Sequence, residues 1–68
     1  MKGFMDFKDV ELGSKAKHKI TGITGIIIAK AEYLSGYRAI ELQPPLDKDG
    51  SYKPKIWFDF NEIEIISE

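Results

Sequence analysis

Apolar and polar residues alternate with a period of two along most of this chain, and that period predicts strands. Lys15, Lys17 and Lys19 interleave with Ala16, His18 and Ile20, the pattern of a strand with one buried face. Thr21-Gly22-Ile23-Thr24-Gly25 follows as a turn, its two glycines suited to backbone with positive φ. A long strand is expected from Ile26 to Tyr33. Its first residues are apolar on both faces, so one face meets the core and the other meets a second strand, the N-terminal segment or a subunit. Leu34-Ser35-Gly36 turns the chain again.

From Tyr37 to Gln43, Arg38, Ile40 and Leu42 share one face, while Tyr37, Ala39, Glu41 and Gln43 share the other. Pro44-Pro45 stops this strand, because proline has no N–H for the ladder. The polar stretch Leu46 to Lys55, with Asp49-Gly50 inside it, reads as a hairpin loop. Ile56 to Phe60 makes a fourth strand, Asn61-Glu62 a turn, and Ile63 to Ile66 a short closing strand.

The first segment has a different period. Phe4, Phe7 and Val10 recur every three residues, which suits one or two helical turns or an arm laid across a barrel mouth, before Gly13-Ser14 breaks it. The expected organisation is an N-terminal arm over 1–13 and one β domain over 14–68. Five short strands separated by turns, without a long helix, predict an all-β fold: a small five-stranded SH3-like (Src-homology-3-like) barrel. A five-stranded oligonucleotide-binding barrel is the rival, and 68 residues leave little room for its extra helix.

Composition sharpens this picture. A 68-residue chain buries only about 60% of the surface its unfolded form exposes. Domains of this size usually need a staple. There are no cysteines and one histidine, so disulfides and thiolate zinc sites are excluded, and neither a metal nor a cofactor is expected. Tight packing or self-association remains, and a homo-oligomer is one expectation.

The longest apolar run, Ile26-Ile27-Ile28-Ala29, is far too short to span a bilayer. The N-terminus has no signal-peptide pattern, so the expected location is the cytoplasm. The net charge of −1 argues against coating DNA. Residues 1–38 carry seven Lys/Arg against four Asp/Glu, and residues 39–68 carry three against seven, so the two halves differ in sign.

Two resemblances add to this reading. Leu12-Gly13-Ser14-Lys15-Ala16 followed by Thr21-Gly22-Ile23-Thr24-Gly25-Ile26-Ile27-Ile28 resembles the Gly-punctuated hairpin of KOW and Tudor-type barrels. A longer set is similar to small proteins of tailed phages and prophages. It comprises Lys19-Ile20-Thr21-Gly22-Ile23-Thr24-Gly25-Ile26-Ile27, Ala31-Glu32-Tyr33-Leu34-Ser35-Gly36, Gln43-Pro44-Pro45, Trp57-Phe58-Asp59 and Ile63-Glu64. In that pattern a cysteine often follows the second glycine motif, and here Tyr37 stands in its place. The resemblance implies a phage origin and a compact β fold.

Catalytic chemistry is hard to assemble from these residues. Ser14, Ser35, Ser51 and Ser67 lie in turns or near the terminus, and His18 reads as a wall residue on the face of Ala16 and Ile20. The carboxylate pairs Asp47/Asp49 and Glu62/Glu64 read as solvated surface. The chain is expected not to be an enzyme. Its candidate binding residues are Trp57 and Asp59, facing away from Ile56, Phe58 and Phe60, unless Phe4 and Phe7 cover the tryptophan. Tyr33, Tyr37 and Arg38 bracket the Leu34-Ser35-Gly36 turn, where aromatics beside a guanidinium suit a nucleobase with its phosphate, or a protein interface.

Lys15, Lys17 and Lys19 form a basic row that either tracks a nucleic-acid backbone or guards a sheet edge. The leading expectation is an accessory phage protein that sequesters a host protein or a nucleotide-derived defence signal. A KOW/Tudor-like nucleic-acid-binding module and a virion structural or assembly component are the alternatives.

Overall fold

Side-chain burial along Lys15–His18 (β1) alternates strictly, with Lys15 and Lys17 exposed and Ala16 and His18 buried. The computed structural model describes residues 6–66, so Phe4 and Ser67 lie outside the described residues. Four further strands follow: Thr24–Glu32 (β2), Arg38–Gln43 (β3), Ile56–Asp59 (β4) and Ile63–Ile65 (β5). They form one antiparallel sheet in the order β4-β3-β2-β1-β5. The fold is all-β, and its hydrogen-bonded ladder is open, with β4 at one edge and β5 at the other.

Open does not mean flat. Neighbouring strands lie about 4.8 Å apart, so β1 and β4 in a flat sheet would be separated by roughly 14 Å. Yet the His18 ring on β1 stacks on the Phe58 ring on β4, with centroids 3.9 Å apart. The inner face therefore curls until its two sides touch. A register shift between Ile27 and Ala29 puts a bulge in the nine-residue β2, the kind of irregularity that bends and twists a strand.

The core gathers inside this curl. Val10, Ala16, Ile27, Ile40, Leu42 and Ile63 are buried together, with Phe7, Phe58, Phe60 and Ile65 packed around them. Complete burial of Ile27, Ile40 and Leu42 contributes about 1.5–3 kcal/mol each. Of the N-terminal segment, Phe7–Asp9 forms a single 3-10 turn. Val10 belongs to the core itself and Phe7 packs against it, so residues 6–13 lie against the sheet. Lys30 fastens them there, its Nζ donating to the carbonyls of Val10 at 2.7 Å and Phe7 at 3.2 Å.

Several expectations are corrected by this packing. β1 ends at His18, so Ile20 does not share its inner face; it sits in the following turn and is 71% exposed. Gly22 has φ +80° and lets that turn close, with its N–H on the His18 carbonyl at 2.8 Å. Gly25 is not a turn residue. It lies within β2, opposite Ala16, where a Cβ would come within 2.6 Å of the Gln43 carbonyl oxygen. Its lack of a side chain admits the Gln43–Pro44 backbone.

β1 is also no edge strand. It lies between β2 and β5, so the lysines on it do not guard an edge. Asn61-Glu62 belongs to a second 3-10 turn, Phe60–Glu62, whose Asn61 N–H donates to the Asp59 carboxylate at 2.9 Å.

Candidate interaction surface

Cross-strand partners face the same side of a sheet, and so do residues two apart along one strand. Applied to the register, these rules arrange the outer face of β2, β3 and β4 in rows. Ala29, Glu41 and Trp57 make one row; Ala31, Ala39 and Asp59 make the next. Tyr33 and Tyr37 continue the pattern beyond the strands, joined by a 2.8 Å hydrogen bond from the Tyr33 N–H to the Tyr37 carbonyl. Their rings lie 5.6 Å apart and 33° from parallel.

The result is a floor of small residues between aromatic walls. Ala39 is buried, Ala29 and Ala31 are half-buried, and Tyr33, Tyr37 and Trp57 remain 52%, 46% and 47% exposed. Roughly 13 Å of strand separates the tyrosine row from the Trp57 row. The charges within these two rows are the carboxylates of Glu41 and Asp59. Phe7 does not cover Trp57, because it packs edge-on against Phe60 at 5.3 Å.

Arg38 is not part of this surface. Alternation turns it to the inner side with Ile40 and Leu42, where its guanidinium lies 5.5 Å from the Phe7 ring centre and its Nε is 3.1 Å from a Glu32 carboxylate oxygen. Thus Tyr33, Tyr37, Trp57 and Asp59 share a face, and the guanidinium expected beside the tyrosines is engaged elsewhere. Lys15 and Lys17 do project together from β1, but Lys17 lies across from Glu64 on β5 and Thr24 on β2. Lys19 sits in the turn, its N–H donating to the Glu62 carbonyl at 2.8 Å.

The buried lone histidine meets one member of the expected solvated carboxylate pairs, the half-buried Glu62. His18 Nε2 is 2.8 Å from Glu62 Oε1, and Nδ1 is 2.9 Å from the Thr21 hydroxyl. The Thr21 N–H also donates to Nδ1, which leaves the ring proton on Nε2 to be donated to Glu62. Both ring nitrogens are thereby engaged, and Glu62 is a structural partner. Glu64, Asp47 and Asp49 are exposed as expected. The Ser51 hydroxyl and N–H, both on Asp49 Oδ1, hold that carboxyl below its ordinary range. Among the described residues no group of three or more His, Cys, Asp or Glu side chains is placed to hold a metal ion. No helix among them is long and apolar enough to cross a membrane.

A second feature escapes the strand pattern. A groove of about 350 Å³ runs between Lys15, Ile26, Pro45, Leu46 and Tyr52. A smaller hollow of about 260 Å³ adjoins it between Ile23, Pro44, Lys53, Pro54 and Ile56. The only signal for it in the sequence is the pair of isolated apolar residues, Leu46 and Tyr52, inside an otherwise polar loop.

No protein-family model, curated protein or solved structure matches this chain.

Proposed function

We propose that this chain is a non-enzymatic binding module that captures a protein partner on the outer face of β2, β3 and β4. The observation that carries the reading is the aromatic and alanine surface of Tyr33, Tyr37, Ala31, Ala39 and Trp57. Rigid aromatics deliver large contact area at low entropic loss, and they dominate the energetics of protein interfaces. A contiguous apolar face of this kind on a small domain marks an interaction site.

Glu41 and Asp59 set the preference among partners. Two carboxylates beside the aromatics repel a phosphate and attract basic side chains at the rim, which favours a protein over a nucleotide-like ligand. The placement of Glu64 beside the β1 lysines weighs against a nucleic-acid module for the same reason.

For the fold, we propose an SH3-like roll. The antiparallel order β4-β3-β2-β1-β5, the 3-10 turn between β4 and β5, and the contact of His18 with Phe58 support it. The motif similarity to phage and prophage proteins supports an accessory role in which a host protein is sequestered stoichiometrically.

Affinity capture from host lysate tests the reading when wild type is run beside Tyr37→Ala and Trp57→Ala. A partner held by wild type and lost from both variants, with unchanged circular dichroism, is the expected outcome. A partner held equally by all of them overturns the assignment of this face.

A further inference from the structure

Strand β4 is an edge whose ladder partners all lie on β3. Such an edge presents unpaired N–H and C=O groups, and proteins usually protect it with a bulge, a central charge or a proline. β4 carries none of these within Ile56-Trp57-Phe58; Pro54 and Lys55 precede it, and Asp59 closes it.

We propose that β4 pairs antiparallel with the β4 of a second copy about a two-fold axis at Trp57. The sequence around that residue is self-complementary. With Trp57 opposite its own equivalent, Lys55 stands opposite the second copy's Asp59, and Ile56 opposite its Phe58. Each of these pairs occurs twice, as an isologous interface requires. Opposite charges and apolar pairs directly across two strands are the arrangements that stabilise a sheet.

The register is specific. Keeping both outer faces on one side of the joined sheet allows shifts of the axis by only one residue at a time. Centring on Phe58 sets Trp57 against Asp59 and Lys55 against Asn61. Centring on Ile56 sets Pro54 against Phe58 and Lys55 against Trp57. Both lose the paired charges.

The two charged residues are available for this role. Lys55 is exposed, and neither it nor Asp59 enters an ion pair among the described residues. One Asp59 oxygen accepts the Asn61 N–H, which leaves the other to meet an ammonium group. Pro54 falls opposite Phe60, where β4 has ended, so its missing N–H interrupts nothing. Pairing would merge two outer faces into one sheet with the tryptophans side by side at its centre.

Sedimentation equilibrium tests this with the purified chain alone, so failure leaves the partner-binding reading standing. Wild type should be a dimer. Lys55→Asp, which sets like charges opposite each other twice, should weaken dimerisation by about ten-fold or more. The charge swap Lys55→Asp with Asp59→Lys should restore it.

Because Asp59→Lys also removes a turn cap, a second probe avoids that residue. The chain has no cysteine, so Trp57→Cys should yield a disulfide-linked dimer under mild oxidation, whereas Tyr52→Cys should not. A monomeric wild type at millimolar concentration, or a dimer indifferent to Lys55→Asp, overturns the proposal.

Discussion

His18 stacks on Phe58, the two ring planes 19° from parallel with centroids 3.9 Å apart, although their strands are separated in the sheet by β2 and β3. The contact links opposite sides of the curl, and the hydrogen bonds to Thr21 and Glu62 hold the imidazole flat against the phenyl ring. His18→Ala is expected to lower stability by about 2–3 kcal/mol in urea denaturation, through lost packing and unpaired polar groups. His18→Phe retains the stack while releasing Thr21 and Glu62, so it should lose roughly half as much. Equal losses in the two variants would mean that the hydrogen bonds, and not the stack, join the two sides.

Gly25 and Gly22 should separate two reasons for glycine. Gly22→Ala places a Cβ in open space at positive φ and should lower stability by about 1 kcal/mol. Gly25→Ala drives a Cβ against the Gln43 carbonyl, a backbone atom that cannot swing away. A loss of about 2–3 kcal/mol is expected, with faster amide exchange at the β2–β3 end near Gln43. Denaturation midpoints and exchange rates check both.

Lys30→Met should loosen the N-terminal segment. The substitution keeps most of the aliphatic stem and removes the ammonium group that donates to Phe7 and Val10. Charged hydrogen bonds of this kind contribute about 1.5–3 kcal/mol. Trypsin cleavage after Lys8 should accelerate in this variant, while cleavage after the loop residue Lys48 should change much less.

The Asp49 carboxyl should titrate below the ordinary aspartate value when followed by NMR. Ser51→Ala removes the hydroxyl, the larger cause of the depression, and should move the midpoint back toward the ordinary value. The sign is that of a carboxylate favoured in the folded state: its contribution is present above the unfolded pKa and fades as the pH falls through the folded one. Asp49 lies on the loop surface, so the global effect should be small and the local titration is the useful readout.

Period two carries the strands in this sequence because each strand has one buried face. Ala16, Ile40, Leu42 and Ile63 announce that face by alternation alone. It also places Trp57 outward, since its neighbours Ile56 and Phe58 face in. Periodicity identifies a face but not what stands across from it. Glu62 looks solvated beside Glu64 until a 3-10 turn brings it to His18, forty-four positions away in sequence. Arg38 looks like a companion of Tyr37 because it is adjacent in the chain, yet in a strand adjacent residues point to opposite faces. Gly25 resembles Gly22 in sequence, and only the approach of Gln43 from another strand gives it a different reason. Nothing local to Val10 says that it completes the core. The Leu46–Tyr52 groove depends on how a loop folds back, which alternation does not describe.

The place of β1 between β2 and β5 has a kinetic consequence. Hairpins β1–β2, β2–β3 and β3–β4 join neighbours in sequence, but Ala16 must also pair with Ile65. Closing a loop of about fifty residues carries an entropic penalty before any contact there compensates it. The first four strands should therefore assemble early, with β5 adding as a late and rate-limiting step on a millisecond-to-second scale. Until it does, β1 is itself an unprotected edge, and Lys15 and Lys17 repel other chains during the interval when misassembly is easiest.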